Sequence, residues 1–171
     1  MTIQDTVIRE EYTSDYGAIS ELTVAAFKTM EMSNQTEQFI IEALRAAKAL
    51  SVSLVAEVDG IVVGHIAFSP VEIADGTTDW YGLGPVSVHP DFQRTGIGKL
   101  LVQEGLFHLK KLKAKCCCLV GHPEYYLQFG FENVDGLIHE GVPREVFFAL
   151  SFDGDIPQGN VLFHEGFKAN S

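Results

Sequence analysis

Apolar and polar residues alternate with a period of two over Ser53–Val58, placing Leu54, Ala56 and Val58 on one face. Asp59-Gly60 follows as a two-residue turn, and Ile61–Val71 resumes as a long strand interrupted by Gly64, so the pattern predicts a β-hairpin. Val7–Tyr12 predicts an earlier strand. Between these segments the apolar period lengthens to that of a helix. Ile19, Leu22, Ala26 and Phe27 share one face behind the N-cap candidates Ser14 and Asp15. Phe39, Ala43 and Ala47, with Ile40 and Leu44 beside them, predict a second helix, and Lys28–Thr36 is a polar, methionine-containing link. Asp75-Gly76 marks another turn before a third β segment, Trp80–Val88. That segment carries Gly82, Gly84 and Pro85, which suit either a bulge approached by a ligand or a plain irregular strand.

Further along, Ile97, Leu101, Leu109 and Leu112 lie on one helical stripe with Gly105, and Cys116–Val120 is a short apolar strand. Strand, helix and strand at this spacing predict parallel neighbours. Lys110, Lys111, Lys113 and Lys115 sit near the helix C-terminus, where positive charge complements the helix dipole. Gly121–His122–Pro123 turns the chain, Glu124–Phe129 fits two helical turns, and Gly130 is placed to cap them. Phe131–Val134, Val146–Phe152 and Val161–Phe163 predict the remaining strands. With no repeat, linker or low-complexity segment, one mixed α/β domain over residues 1–171 is the simplest organisation.

Composition narrows the partners. The 171 residues are 46% hydrophobic and 20% charged, ordinary for a globular chain, with a net charge of -11. That charge argues against non-specific nucleic-acid binding, which needs a basic surface, and weakly favours cationic partners such as amines. The longest apolar runs are too short for a membrane span, and Met1–Asp5 lacks the basic and apolar parts of a signal peptide, so a cytoplasmic location is expected. Cys116, Cys117 and Cys118 are adjacent. In a strand they alternate faces, which suits neither a disulfide nor zinc ligation; buried thiols in a reducing compartment, and no metal, are expected.

The chemistry concentrates where the third β segment meets the long helix. Val86–Ser87–Val88–His89–Pro90 leads into Gln93–Arg94–Thr95–Gly96–Ile97–Gly98–Lys99. The first N–H groups of a helix have no internal partner and carry partial positive charge, so with Arg94 beside them they suit a phosphate. Gly96 and Gly98 let an anion approach the main chain. A dinucleotide loop would need a third glycine where Leu101 stands, and an NTPase loop would need a hydroxyl where Leu100 stands.

Gln93–Arg94–Thr95–Gly96–Ile97–Gly98 instead resembles the Gln/Arg-x-x-Gly-x-Gly/Ala motif of the GCN5-related N-acetyltransferases (GNAT). The Asp59-Gly60 hairpin, the Cys116 strand and Tyr125–Tyr126–Leu127–Gln128–Phe129–Gly130–Phe131 fall where that family has counterparts. Leu83–Gly84–Pro85–Val86 and Pro123–Glu124–Tyr125–Tyr126 are similar to a YhbS-like subgroup. The similarity covers about residues 5–135 and is looser over 136–171.

The resemblance implies a central mixed, mostly antiparallel sheet with a splayed parallel strand pair, flanked by helices. It implies acetyl-CoA as acyl donor, its pyrophosphate on Gln93, Arg94, Thr95, Gly96, Ile97, Gly98 and Lys99 and its pantetheine arm along Val86, Ser87 and Val88. Tyr126 would be the general acid that protonates the leaving thiolate, with Tyr125 as rival. The general base stays open between His122 and Glu124. Phe27, Met30, Met32 and Phe39 flank a link that shapes the acceptor pocket in this family, although the phenylalanines also suit the core. His65 and His89 read as strand-face and turn residues. The expected reaction is direct acetyl transfer to the primary amine of a small molecule; the alternative is a non-catalytic acyl-CoA sensor. A homodimer is left open.

Overall fold

A computed structural model describes residues 5–171. β1 (Thr6–Glu10) leads into helices α1 (Tyr16–Phe27) and α2 (Glu37–Ala46), then the hairpin β2 (Val52–Val58) and β3 (Ile61–Ile73). β4 (Trp80–Val88), α3 (Ile97–Lys111) and β5 (Cys116–Val120) follow, and then the short α4 (Pro123–Tyr126). The chain ends with β6 (Leu137–Ile138), β7 (Phe147–Ser151), β8 (Gly159–Phe163) and a 3₁₀ turn at Glu165–Lys168. The main sheet runs β1-β2-β3-β4-β5-β7; β8 pairs with the end of β3, and β6 pairs with β8. In the main sheet only β4 and β5 are parallel neighbours. The fold is therefore the mixed, mostly antiparallel α/β sheet that the resemblance implies.

Two local choices bring the long helix onto the sheet. Gly64 sits at a register slip between β2 and β3, and a Cβ there would stand 3.0 Å from Leu101 and 3.2 Å from both Ala56 and Ile97. Gly105 on α3 leaves room for the Phe68 ring, which a Cβ would overlap. Ile97, Leu101, Val102, Gly105, Leu106 and Leu109 are the buried face of α3, packed on Leu54, Ala56, Ile66 and Phe68. Close packing of this kind makes core truncations costly.

Some predicted faces shift. Leu112 closes α3 at its C-cap and is 49% exposed, because the helix ends before the stripe reaches it. The buried face of α2 is Ile40, Ile41 and Leu44; Phe39 is half-buried and Ala47 exposed. The predicted strand Phe131–Val134 reduces to one bridge, Glu132 to Ala149, on the edge of β7 opposite β5. Cys116, Cys117 and Cys118 are fully buried free thiols, Cys117 toward α3 and the other two toward the opposite core. Burial pushes all three thiols up. No helix among the described residues is long and apolar enough to cross a membrane.

Candidate active site

The site begins with an irregularity in β4. Ile66 faces Val86 and Phe68 faces Leu83, so β3 advances two residues while β4 advances three. The extra residue falls at Gly84-Pro85, where the peptide is cis and Gly84 has φ 141°. Only Gly could hold that φ without strain, and Pro could not donate to a ladder. This is the bulged reading of Gly82, Gly84 and Pro85. Pairing to β5 stops just before the bulge: Trp80, Tyr81 and Gly82 face Cys116, Cys117 and Cys118, and beyond them β5 is bonded to β7 alone. The parallel pair therefore splays.

The register shows which backbone groups face the opening. The His89 N–H donates to the Val63 carbonyl at 2.8 Å. In an antiparallel ladder, successive residues turn their N–H and C=O groups to opposite sides. His89 and Ser87 therefore face β3, and Val86 and Val88 turn theirs toward the gap. The Val88 carbonyl accepts from Gln93 Nε2 at 3.0 Å. Ser87 offers the gap no side chain either, being 2% exposed with Oγ 3.4 Å from Thr23 Oγ1 on α1.

The loop after β4 is braced from within. His89 Nδ1 accepts from the Asp91 N–H at 3.1 Å, and Thr95 Oγ1 donates to the Phe92 carbonyl at 2.6 Å. Arg94 (φ 65°) and Gly96 (φ 92°) are left-handed, and Gly96 is the N-cap of α3. The first bond of the helix is Leu100 N–H to the Gly96 carbonyl at 3.1 Å, so the amides of Ile97, Gly98 and Lys99 precede it and have no helical acceptor. Beside them lies a cavity of about 310 Å³ lined by Val88, Gln93, Arg94, Gly96, Gly98 and Lys99, together with Tyr125. Thr95 does not line it, and the Ile97 side chain points into the core.

A second, larger cavity of about 700 Å³ opens at the splay. Leu83–Val86 form one side and Val120, Gly121 and His122 another. Tyr125 lines both cavities and Tyr126 only the larger. The two rings meet edge to face at 5.0 Å. A Cβ on Gly98 would lie 2.9 Å from Tyr125 Oη, so this hydroxyl hangs over the first turn of α3. Tyr126 is 8% exposed, its ring lying over Gly121 and against Phe131. Its hydroxyl has no partner among the described residues. Burial raises both phenols above the ordinary tyrosine range, Tyr126 the more, so both are protonated donors at neutral pH.

Of the two candidate bases, His122 lines the large cavity and Glu124 does not. Phe27 and Met30 from the α1–α2 link also line it; Met32 and Phe39 do not, and Met32 is 96% exposed. The sequence reading missed Glu37 in the first turn of α2, and His139, Phe163, His164 and Phe167 from the C-terminal segment. No local pattern marks these residues. The C-terminal residues reach the cavity because β8 pairs with β3 and because Gly82 has no Cβ, which would stand 2.5 Å from the Phe163 ring.

Comparison with known proteins identifies the arrangement. The GNAT acetyltransferase domain family matches residues 49–133. The uncharacterized N-acetyltransferase YhbS of Escherichia coli K12 is 32% identical over 127 residues, 74% of this chain and 73% of that protein. The chain belongs to the GNAT acetyltransferases. A GNAT acetyltransferase of Brucella melitensis, crystallised with acetyl-CoA, shares 48% identity and a TM-score of 0.85 over 95% of this chain and 97% of that one. E. coli YhbS in complex with CoA gives 28% identity and a TM-score of 0.86 over 98% and 94%. The bulge, the splay and both tyrosines fall inside the GNAT domain match. The C-terminal wall of the large cavity lies beyond it.

Proposed function

We propose that this GNAT chain transfers the acetyl group of acetyl-CoA to the primary amine of a small molecule. The observation that carries the reading is the outward-facing backbone of Val86 and Val88, beside a splayed strand and next to the bare amides of α3. An extended pantetheine arm needs such groups to pair with, and a pyrophosphate suits a helix start with Arg94 and Lys99 nearby. The Brucella and E. coli relatives, crystallised with acetyl-CoA and CoA, support the same donor.

In the proposed reaction a neutral amine attacks the thioester carbonyl. The C–N bond forms, and the carbonyl oxygen gains charge against backbone N–H groups of the bulged strand. As the C–S bond breaks, Tyr126 gives its proton to the departing thiolate, and the proton lost by the amine restores the balance. Tyr126 lines the large cavity and its hydroxyl is protonated at neutral pH, so it carries a proton for that step.

Acetyl-CoA turnover across an amine panel, measured by thiol release, tests the reading. Thiol release with at least one amine, and a fall in kcat of about 10²-fold or more in Tyr126→Phe, are expected. A Tyr125→Phe variant that loses kcat while Tyr126→Phe keeps it would transfer the role to Tyr125. CoA binding without thiol release from any amine would leave a sensor instead of an enzyme.

A further inference from the structure

The C-terminal segment places a histidine with a fixed tautomer on an aromatic wall of the large cavity. His139 Nδ1 lies 2.9 Å from the Val161 carbonyl. A carbonyl can only accept, so Nδ1 carries the proton and Nε2 is the basic nitrogen. Nε2 has no partner among the described residues. The ring is held edge to face against Phe163 at 4.7 Å, with Phe147 at 5.8 Å on its other flank. Phe163 in turn meets Phe167 at 5.3 Å. His164 cannot offer the same nitrogen, because its Nδ1 accepts from the Gly166 N–H at 2.9 Å. His122 lines the cavity from an exposed position, with no bond among the described residues to orient its ring.

The cavity's charged lining is sparse: among the described residues Glu37 supplies its one carboxylate and Lys168, on the exposed last turn, its one permanent cation. An apolar, aromatic-walled pocket with a single acid suits an ammonium carried on an apolar body. The volume of about 700 Å³ can hold the thiol end of a donor and a second small molecule together.

Resting on the acetyl-transfer reading, we infer that the acceptor is a primary amine on an aromatic body, seated against Phe163 and Phe167 and deprotonated by His139 Nε2. The ammonium passes one proton to Nε2, and the neutral amine attacks. Nε2 releases that proton to solvent, and the second proton, which the nitrogen sheds as the amide forms, replaces the one Tyr126 gave to the departing thiolate.

The test compares wild type, His139→Gln and Phe167→Ala with 2-phenylethylamine, aniline and spermidine as acceptors. For wild type, kcat/KM should be at least tenfold higher with 2-phenylethylamine than with spermidine. Phe167→Ala should raise the KM for 2-phenylethylamine about tenfold while leaving the KM for acetyl-CoA unchanged, which also reports an intact fold. His139→Gln should lose about 10²-fold in kcat/KM with 2-phenylethylamine at pH 7 and recover as pH rises and the amine deprotonates in solution. Glu37, His122, His164, Lys168 and both tyrosines also face the cavity, so aniline is the control: it is neutral at pH 7, and its rate should be nearly unaffected by His139→Gln. Equal losses with aniline and 2-phenylethylamine, or a preference for spermidine, would overturn this inference and leave acetyl transfer standing. No turnover with any amine would overturn both.

Discussion

Gly98→Ala separates the two roles of the α3 N-terminus, because its effects on stability and on affinity have opposite signs. Gly98 sits in the first turn of α3 and has an ordinary helical φ, unlike Gly96 at φ 92°. Alanine there incurs no backbone strain, and in a helix it is favoured over glycine by about 0.5–1 kcal/mol. The added Cβ would meet Tyr125 Oη at 2.9 Å and nothing else closer than 3.8 Å. That contact is with the tip of a half-buried side chain, which can swing by a few tenths of an ångström. Thermal unfolding should therefore hold or rise slightly. The methyl group projects into the 310 Å³ cavity, on the path of an anion approaching the bare amides. A hydrogen bond to a charged group contributes about 1.5–3 kcal/mol. Losing one phosphate contact should weaken CoA binding by about 10- to 100-fold, readable by titration calorimetry. Unchanged CoA affinity in a stably folded Gly98→Ala protein would refute the placement of the pyrophosphate. A drop in stability instead would mean that Tyr125 cannot yield.

Two further outcomes follow from buried ionisable groups. Burial alone would raise Glu11, but hydrogen bonds from Arg45 and Ser53, with the His65 ring 3.8 Å away, hold it at about 2, below its ordinary 4.5. His65, wholly buried beside it, is held below 6.5 mainly by burial. Both native values lie below those of the unfolded chain, so the unfolded state takes up more protons as pH falls. Chemical denaturation should therefore show stability dropping below about pH 6.5 and further between about 4.5 and 2, and Glu11→Gln should flatten the lower part; a pH-independent midpoint would contradict the network. The three cysteines, buried with raised thiols, should resist a thiol-specific reagent in the native protein and react once it is denatured; rapid native labelling would show that β5 opens.

The parts of this fold that local physics controls were legible in the sequence, and the parts made by distant contacts were not. Alternation over Ser53–Val58 and the Asp59-Gly60 turn encode β2 and β3 because a hairpin is fixed by its own residues. Gly96 at the N-cap and Gly98 in the first turn of α3 shape the helix start proposed to cradle an anion, for the same reason. Gly84-Pro85 was ambiguous, since neither residue says alone whether an irregular strand is a defect or an opening. The register with β3 and the early end of the β5 ladder resolve it. Tyr125 and Tyr126 are adjacent and chemically alike, and only packing tells them apart, one over the helix start and the other in the core. For the outer wall of the large cavity the sequence pointed to Phe27 and Met30 in the α1–α2 link but to none of the C-terminal residues. Phe163 lies on β8, which exists through pairing with β3 and β6, His139 follows the two-residue β6, and Phe167 lies in the closing 3₁₀ turn. Such short strands have no period to read. The proposed donor half of this site is thus written locally, in a loop and a helix start, whereas the proposed acceptor half depends on a C-terminal segment folding back over β4. Under the proposed reading, changes in that segment alter the acceptor without disturbing the cradle, because the Phe163 ring packs on β4 at Gly82, before the backbone of Val86 and Val88 turns to the gap.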